Sequence, residues 1–465
     1  MPLAQSYRPE MNILALGDAF YDAVQAADFP ACTPRFLNLR AARTVGLAEL
    51  SEDEWASHLC RFEPLPDNLP EPLALRYHGH QFRVYNPDLG DGRGFLFAQL
   101  RDERGRLLDL GTKGSGQTPW SRGADGRLTL KGGVREILAS EMLEALGVNT
   151  SKSFALFETG EELTRGDEPS PTRSAVLTRL SHGHIRIGSF QRHAFHRDTG
   201  NLNRLVRYSL EHLYGQAPSD NEADNAVQLC ALVGEATARL AASYMAAGFV
   251  HGVLNSDNIN ITGESFDYGP WRFTPHWQPD FTAAYFDHYG LYAFGRQAEA
   301  IHWDLAHFAS CLTLVADVDA LSEALSGWGG QFEEALDAAL VKRLGVESRG
   351  REWDRDLAAA LTAALETRQE TIDRLFFDWR GGHDPGAELY PSEPYRALAA
   401  KLSGHRRRPS HDYWSDPQPC SMHIDEVEAI WTAIATRDDW TPFETKIAAV
   451  RRMGEAHGQD GPAPA

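Results

Sequence analysis

The sequence predicts an α+β fold in which a β-rich first half is followed by a mainly helical second half. From Tyr77 to about Leu180, short apolar runs are broken by glycine turns, a pattern typical of antiparallel strands. Beyond Asn201, apolar residues recur at helical spacing over most of the chain. At 465 residues the chain is long enough for about two to four packed units and a buried cleft.

One helix is predicted inside the β-rich half. The runs Phe95–Leu100 and Arg106–Leu110 form strands around a turn, and strands Ser153–Glu158 and Ser174–Leu180 come later. Between these pairs, one helical face before Gly147 carries the apolar residues Val134, Ile137, Leu138, Met142, Ala145 and Leu146. Strands, one helix and more strands follow each other in this order in the small lobe of a protein kinase.

The second half begins with helices predicted at Asn203–Tyr214 and at about Asn221–Ala247. A strand-and-loop insert follows at about 250–286, and further helices are predicted at Trp303–Leu314, Phe332–Leu344 and Asp354–Phe377. The sequence therefore predicts a bilobal, protein-kinase-like fold. Its units are an N-terminal wrapping extension (1–74), a small lobe (75–190), a large lobe with the catalytic loop (191–320) and a helical C-terminal extension (321–465).

Charge and composition exclude several classes of function. Acidic side chains outnumber basic ones 65 to 45, and the net charge of −20 disfavours nucleic acid and anionic membranes as partners. Residues 1–22 lack the pattern of a secretory signal, and no apolar run approaches the ~18 residues of a membrane span. Widely spaced cysteines without a Cys-x-x-Cys pair favour a reducing compartment. We expect a cytoplasmic protein.

Two features of the β-rich half suggest a phosphate site. Glycines in Leu89–Gly94 would let backbone amides approach a phosphate, although a glycine-rich hairpin turn is the alternative. Lys113 shares its strand parity with Asp109, opposite to the apolar residues, so we expect it to point into a cleft. Glu136, 23 residues later, could pair with Lys113 as in kinases. A surface lysine and a glutamate at a helix N-terminus are the alternatives.

The strongest local signal lies after the long helix. His251–Asn258 followed by Phe266–Gly269 resembles the kinase motifs H-R-D-L-x-x-x-N and D-F-G, although a turn rich in Asn and Asp is the alternative. Asn258 and Asp267 then fall where kinases bind magnesium. Val253 occupies the position of the usual catalytic aspartate and cannot accept a proton, so the nearest candidate base is Asp257.

Together with Tyr77–Phe82, Lys113–Pro119, Ser121–Arg127 and Arg135-Glu136, these motifs resemble the selenoprotein O family in order and spacing, over about Tyr77–Ala309. The resemblance implies a kinase-like pseudokinase that binds ATP with Mg or Mn in a flipped orientation. It implies transfer of AMP to Ser, Thr or Tyr hydroxyls of proteins, including the enzyme itself, with release of pyrophosphate. It further implies Asp257 as the proton acceptor and Asn258 and Asp267 as metal ligands. The implied nucleotide contacts are Gly90, Gly92, Arg93, Lys113, Asp125, Gly126, Arg179, Arg186 and Asp267.

The chain departs from the family pattern at its C-terminal side. Cys420 stands alone, so redox control through a C-terminal cysteine pair is not supported, and Asp304 occupies a position where asparagine is expected. Two alternatives to the adenylyltransferase stay open: a catalytically inactive, ATP-binding pseudokinase scaffold, and a transferase that uses another nucleotide such as UTP. A conventional phosphotransferase is disfavoured by Val253.

Overall fold

The structure is a computed structural model that describes residues 6–166, 168–404 and 411–458. The strands within these ranges are β1 Pro9–Glu10, β2 Tyr21–Ala23, β3 Thr33–Leu37, β4 Leu73–Leu75, β5 Gly79–Gln81, β6 Val84–Asn86, β7 Leu96–Arg101, β8 Leu107–Lys113, β9 Leu128–Thr129, β10 Lys152–Leu163, β11 Thr172–Ser181, β12 Phe249–Val250 and β13 Arg272–Phe273. The α-helices are α1 Leu39–Thr44, α2 Glu52–Leu59, α3 Leu130–Ala145, α4 Ile187–Phe195, α5 Thr199–Tyr208, α6 Glu222–Ala247, α7 Gln297–Leu312, α8 Val318–Ser326, α9 Trp328–Leu344, α10 Arg351–Glu366, α11 Ile372–Asp378, α12 Glu393–Leu402, α13 Ile424–Arg437 and α14 Thr441–Ala456.

The β-rich half forms one large antiparallel sheet in the order β2-β4-β7-β8-β11-β10-β3, with β1 paired to β7 and β9 paired to β11. The predicted hairpin of β7 and β8 lies at its centre. Strands β1 to β3 and the start of β4 come from the predicted N-terminal extension, so that segment contributes to the same sheet. The fold is therefore mixed α and β, with a large antiparallel sheet followed by many helices.

Helix α3 is the predicted helix within the β-rich half. The Thr129 side chain caps its first turn by accepting a hydrogen bond from Gly132 N at 3.1 Å. Its apolar face is fully buried against β10 and β11, and the left-handed Gly147 follows its end, as predicted. The C-terminal helix α14 also packs against α3.

Helix α6 is the centre of the helical half. It begins where the Asn221 side chain accepts a hydrogen bond from Ala223 N, and it ends at Gly248, whose φ of 69° is left-handed. Helices α7, α8 and α9 all pack against it. The chain segment that leaves α6 through β12 therefore starts from a firmly packed element.

The predicted single helix Asp354–Phe377 is wrong, because α10 ends at Glu366 and α11 begins at Ile372. Arg368 between them has a left-handed φ of 53°. The Thr371 side chain then caps α11 by accepting a hydrogen bond from Arg374 N at 3.2 Å. Both helices bury apolar residues at helical spacing, so periodicity alone shows no break between them.

A disulfide joins Cys32 to Cys60, whereas Cys230, Cys311 and Cys420 are free. This bond was not expected from the sequence, in which the spacing of the cysteines favoured a reducing compartment. It ties the segment before β3 to the end of α2. Across the described ranges, no helix combines the length and the apolar character needed to span a membrane. The cytoplasmic location stays a prediction.

Candidate active site

Four charged side chains meet between the sheet and the segment that follows α6. Lys113 forms an ion pair with Glu136 of α3, and its Nζ lies 2.7 Å from Asp267 Oδ1. Arg179 Nη1 lies 3.3 Å from the same Asp267 oxygen and 3.9 Å from Glu136 Oε2. The side chains of Lys113, Glu136 and Arg179 are nearly inaccessible, whereas that of Asp267 is 28% exposed. The cluster is open only on the side of Asp267.

Strand register explains how the two cations reach the same place. In the ladder of β8 and β11, Lys113 pairs with Leu177 and Gly111 pairs with Arg179. Directly paired residues in an antiparallel ladder lie on the same face, so Lys113 and Arg179 are diagonal neighbours. Both point towards Asp267, and burial, which would raise the pKa of that carboxyl, is outweighed by Lys113 and Arg179. The pKa of Asp267 is therefore held well below its ordinary value.

Arg186, just before α4, contacts both the glycine-rich loop (residues 89–94) and the candidate catalytic loop (residues 251–258). Its Nη1 donates to the Asp257 carbonyl oxygen at 3.0 Å, and its Nη2 lies 3.4 Å from Asp91 Oδ1. The guanidinium stacks over the rings of Tyr77 at 4.2 Å and Phe266 at 4.9 Å. Sequence reasoning missed Asp91, for which the only available signal was a carboxylate between two glycines of the loop.

The catalytic loop contains a short 3-10 turn over Ser256–Asn258. Asp257 is 8% exposed, and its Oδ1 has no hydrogen-bond partner within the described ranges. Burial raises the pKa of the Asp257 carboxyl to about 6, and Arg186 opposes this rise. Asn258 donates from Nδ2 to the Val253 carbonyl oxygen at 3.0 Å, which directs its Oδ1 away from Val253. The candidate base Asp257 and the candidate metal ligand Asn258 are thus consecutive residues of this turn.

The hairpin of β5 and β6 holds this loop in place. His80 N donates to Ser256 Oγ at 2.7 Å, and Phe82 N donates to Asn255 Oδ1 at 3.0 Å. A Cβ at Gly79 would lie only 3.0 Å from the side chain of Asp257. The Tyr77–Phe82 motif therefore has a structural purpose that the sequence did not reveal. Its backbone sets the position of the candidate base.

His251 joins the catalytic loop to the segment that carries Asp267. Its Nε2 bonds to the Phe266 carbonyl oxygen at 3.1 Å, and its Nδ1 accepts from Val253 N at 3.4 Å. Burial lowers the pKa of the ring, which fits the neutral form that these two contacts require.

The glycine-rich loop packs against Trp120, which belongs to the segment that follows Lys113. A Cβ at Gly90 would lie 2.4 Å from Trp120 Cγ, and one at Gly92 would lie 2.7 Å from the Trp120 carbonyl oxygen. Packing of Trp120 is therefore one reason for glycine at both positions. The Arg93 side chain is exposed, and its charge contributes to the lowered pKa of Asp267.

Asp125 and Gly126 lie farther along the same segment. Asp125 is 46% exposed and pairs with Arg165 at 2.7 Å, so the structure places it outside the buried charge cluster. Gly126 has a φ of +69°, and a Cβ there would collide with the Gly116 carbonyl oxygen at 2.2 Å. Gly126 therefore lies where the two ends of the loop 116–126 meet, and its carbonyl oxygen accepts a hydrogen bond from Gly116 N.

Asp304 of α7 is a second buried carboxyl, close enough to Asp257 for their charges to interact. It is 1% exposed, and its Oδ2 has no hydrogen-bond partner in the described part of the chain. Burial raises the pKa of Asp304 well above its ordinary value, and the charge of Asp257 raises it further. Both effects favour the neutral form of the Asp304 carboxyl, which has a shape similar to that of the expected asparagine side chain.

A divalent metal fits the oxygen donors of this site. The described residues contain no cluster of three or more His, Cys, Asp or Glu side chains that could hold a metal. Asp267 and Asn258 carry a carboxylate and an amide oxygen, the hard donor types that a divalent metal takes when phosphate oxygens and water complete its shell.

Comparisons with known proteins agree with this chemistry. The sequence model of the family described as protein adenylyltransferase SelO matches residues 3–388. A protein nucleotidyltransferase YdiU of Gloeobacter violaceus is 41% identical, over 97% of this chain and 96% of its own length. Its counterparts from Synechococcus elongatus and Synechocystis sp. are 39% and 38% identical, with at least 95% of each chain covered.

These matches define a nucleotidyltransferase that acts on proteins. The chain belongs to the protein adenylyltransferase SelO family. The match begins before and ends after the range Tyr77–Ala309 that carried the resemblance in the sequence, and so includes strands β1 to β4 and helices α8 to α11.

Proposed function

We propose that this chain transfers AMP from ATP to hydroxyl groups of proteins, releasing pyrophosphate, within a bilobal, protein-kinase-like fold. The observation that carries the proposal is the convergence of Lys113, Arg179 and Arg186 around Asp267 and the backbone of Asp257. Guanidinium and ammonium groups bind phosphate oxygens well, so this convergence of three cations suits a triphosphate.

Each charged residue then has a proposed role. Lys113, fixed by Glu136, binds the phosphates, and Arg179 and Arg186 hold the distal end of the triphosphate. Gly90, Gly92, Arg93, Asp125 and Gly126 line the rest of the nucleotide. Asn258 and Asp267 would hold Mg²⁺, or Mn²⁺, which when bound neutralises charge on the phosphates.

Asp257 is the proposed proton acceptor. Its pKa of about 6 leaves the carboxylate ionised at neutral pH, yet makes it a stronger base than an ordinary aspartate. The acceptor hydroxyl gives its proton to Asp257 while its oxygen bonds to the α-phosphorus. The bond from that phosphorus to the bridging oxygen breaks, and pyrophosphate leaves with the electron pair.

Two other functions are weighed against this one. A scaffold that only binds ATP has no use for a buried carboxylate of raised pKa beside two metal-binding oxygens, which favours the enzyme. A transferase that uses UTP would share the phosphate contacts, and a parallel calorimetric titration with UTP in place of ATP distinguishes the two nucleotides.

Calorimetric titration with ATP, with and without Mg²⁺, tests the proposed metal site. In Asp267→Ala we expect the metal-dependent part of the affinity to vanish while the protein stays folded. Asp88→Ala, an exposed carboxylate next to the glycine-rich loop, is the matched control and should bind like the wild type. Unchanged metal-dependent affinity in a folded Asp267→Ala variant would contradict the assignment.

A further inference from the structure

Residues 285–289 form an exposed aromatic tip after the candidate metal ligand Asp267. Tyr285 is 82% exposed, Phe286 is 40% exposed and Tyr289 is 93% exposed. All fourteen tyrosines of the chain lie within the described ranges, and the other twelve are buried or half-buried. Exposed tyrosine hydroxyls are therefore concentrated at this one tip.

The base of the tip rests on the catalytic loop. On one side, Ala283 packs against Gly252 so closely that a Cβ on the glycine would lie 3.1 Å from Ala283 Cβ. On the other side, Tyr292 donates from its hydroxyl to Asn255 Oδ1 at 2.7 Å. Both ends of the tip thus contact the stretch 252–255, two residues before the candidate base Asp257.

The tip itself is held in a defined turn. Asp287 is buried, and its two carboxylate oxygens accept hydrogen bonds from Leu291 N and Tyr292 N, both at 2.8 Å. Arg296 donates from Nη1 to the carbonyl oxygens of Tyr289 at 3.3 Å and Gly290 at 3.2 Å. The two exposed tyrosines are therefore carried on a turn that hydrogen bonds fix, and the residues that flank this turn contact the stretch 252–255.

We propose that Tyr285 and Tyr289 are acceptors of the transferred nucleotide, and that a second copy of this chain modifies them. This inference rests on the proposed function. Both tyrosine side chains are exposed, whereas Asp257 is buried and its Oδ1 has no hydrogen-bond partner in the described residues, so neither tyrosine hydroxyl is bonded to that oxygen of its own chain. A second copy meets the tip where it is exposed, and the aromatic side chains supply apolar contact area for that encounter.

The transfer is the reaction proposed above, with a phenol as the acceptor. The phenolic oxygen of Tyr285 or Tyr289 bonds to the α-phosphorus of ATP held by the other copy, and the proton passes to Asp257 of that copy. The bond to the bridging oxygen of the β-phosphate breaks, and pyrophosphate leaves with the electron pair. The product is a tyrosine carrying AMP through a phosphodiester bond.

A mixing experiment with full-length chains tests the proposal. The acceptor is a tagged, inactive Asp267→Ala chain, and the enzyme is an active Tyr285→Phe/Tyr289→Phe chain. With ATP labelled on the α-phosphate, we expect label on the acceptor, in the tryptic peptide of residues 273–296 that ends at Arg296. An acceptor that also carries Tyr285→Phe and Tyr289→Phe should lose this label, whereas Tyr21→Phe, a half-buried tyrosine of β2, should keep it.

A basic Lys–Tyr copolymer, added in parallel, reports the activity itself, since its charge complements the acidic enzyme. If the copolymer is labelled but the acceptor chain is labelled elsewhere or not at all, the acceptor proposal is wrong and the proposed function stands. If neither the copolymer nor the acceptor chain is labelled, the proposed function has failed. Label that stays at 273–296 but does not depend on the concentration of active enzyme would contradict transfer between copies.

Discussion

At the scale of single residues, the two aspartates of the candidate site differ in the charges that surround them. Asp267 keeps a low pKa because Lys113 and Arg179 both touch the same oxygen. Asp257 has no such direct contact with a cation through its side chain, and burial raises its pKa instead. Two aspartates only ten residues apart therefore have pKa values shifted in opposite directions, which fits the different roles proposed for them.

Glu264 shows the same effect of burial outside the proposed chemistry. It is buried, its Oε1 accepts a hydrogen bond from His182 N at 2.9 Å, and burial raises its pKa to about 7. The folded protein thus binds this proton more tightly than the unfolded chain does, so stability falls as pH rises through the range between the unfolded and folded pKa values.

We predict that Glu264→Gln removes this pH dependence while keeping the hydrogen bond to His182. Between about pH 4.5 and 7, the wild type should lose up to about 3 kcal/mol of unfolding free energy relative to the variant. Urea unfolding of both proteins across this range measures the difference. Parallel stability curves would show that Glu264 does not titrate as described.

At the scale of elements, helix α3 is the link between the site and the C-terminal helices. It carries Glu136 on its site-facing side, and its Glu141 forms a two-pronged ion pair with Arg451 of α14, with both distances 2.7 Å. Glu141 is 4% exposed, and α14 approaches so closely that a Cβ at Gly454 would lie 3.3 Å from Ala145. The position of Glu136 therefore depends on residues far from it in sequence.

We predict that Arg451→Ala destabilises the fold by roughly 1–3 kcal/mol, the usual cost of leaving a buried charged group without its partner. Nucleotide affinity should fall with it, because α3 is held less firmly. Arg452→Ala is the matched control, since the neighbouring side chain pairs with Asp416 at the surface and should matter less. Equal effects of the two substitutions on urea unfolding and on ATP titration would contradict this role of α14.

Much of the element order could be predicted from the sequence, because it follows from local patterns. The apolar face of α3, the β7–β8 hairpin and the long helix α6 each depend on periodicity and turn residues within one segment. The break between α10 and α11 could not be predicted, since it depends on the backbone conformation of Arg368. The Cys32–Cys60 disulfide could likewise not be predicted, because 28 residues separate the two cysteines and only the folded chain brings them together.

The candidate site shows the same division between local and long-range signals. Residues in linear motifs, such as Asp257, Asn258 and Asp267, could be named as candidates from spacing alone. Asp91, by contrast, becomes a partner of Arg186 only when the glycine-rich loop folds against α4. The β5–β6 hairpin holds the catalytic loop through hydrogen bonds from the backbone amides of His80 and Phe82. Every residue type except proline has such an amide, so the sequence gives no signal for these bonds.

At the scale of the whole molecule, the large sheet and the helical half meet at the candidate site. Lys113 and Arg179 come from the sheet, whereas Asp257 and Asp267 come from the segment after α6. The comparisons place the chain in a family of protein adenylyltransferases along most of its length. The central claim is therefore that the site formed by these two halves exposes the α-phosphate of ATP to attack, and not the γ-phosphate.

The most direct measurement compares two labels of ATP in parallel incubations with the full chain and a protein acceptor. The account predicts that label on the α-phosphate becomes protein-bound, that label on the γ-phosphate leaves as pyrophosphate, and that Asp257→Asn abolishes incorporation while ATP still binds. Protein-bound γ-label would make the chain a conventional phosphotransferase. Incorporation of neither label, with ATP bound, would make it a scaffold, and either result would contradict the account.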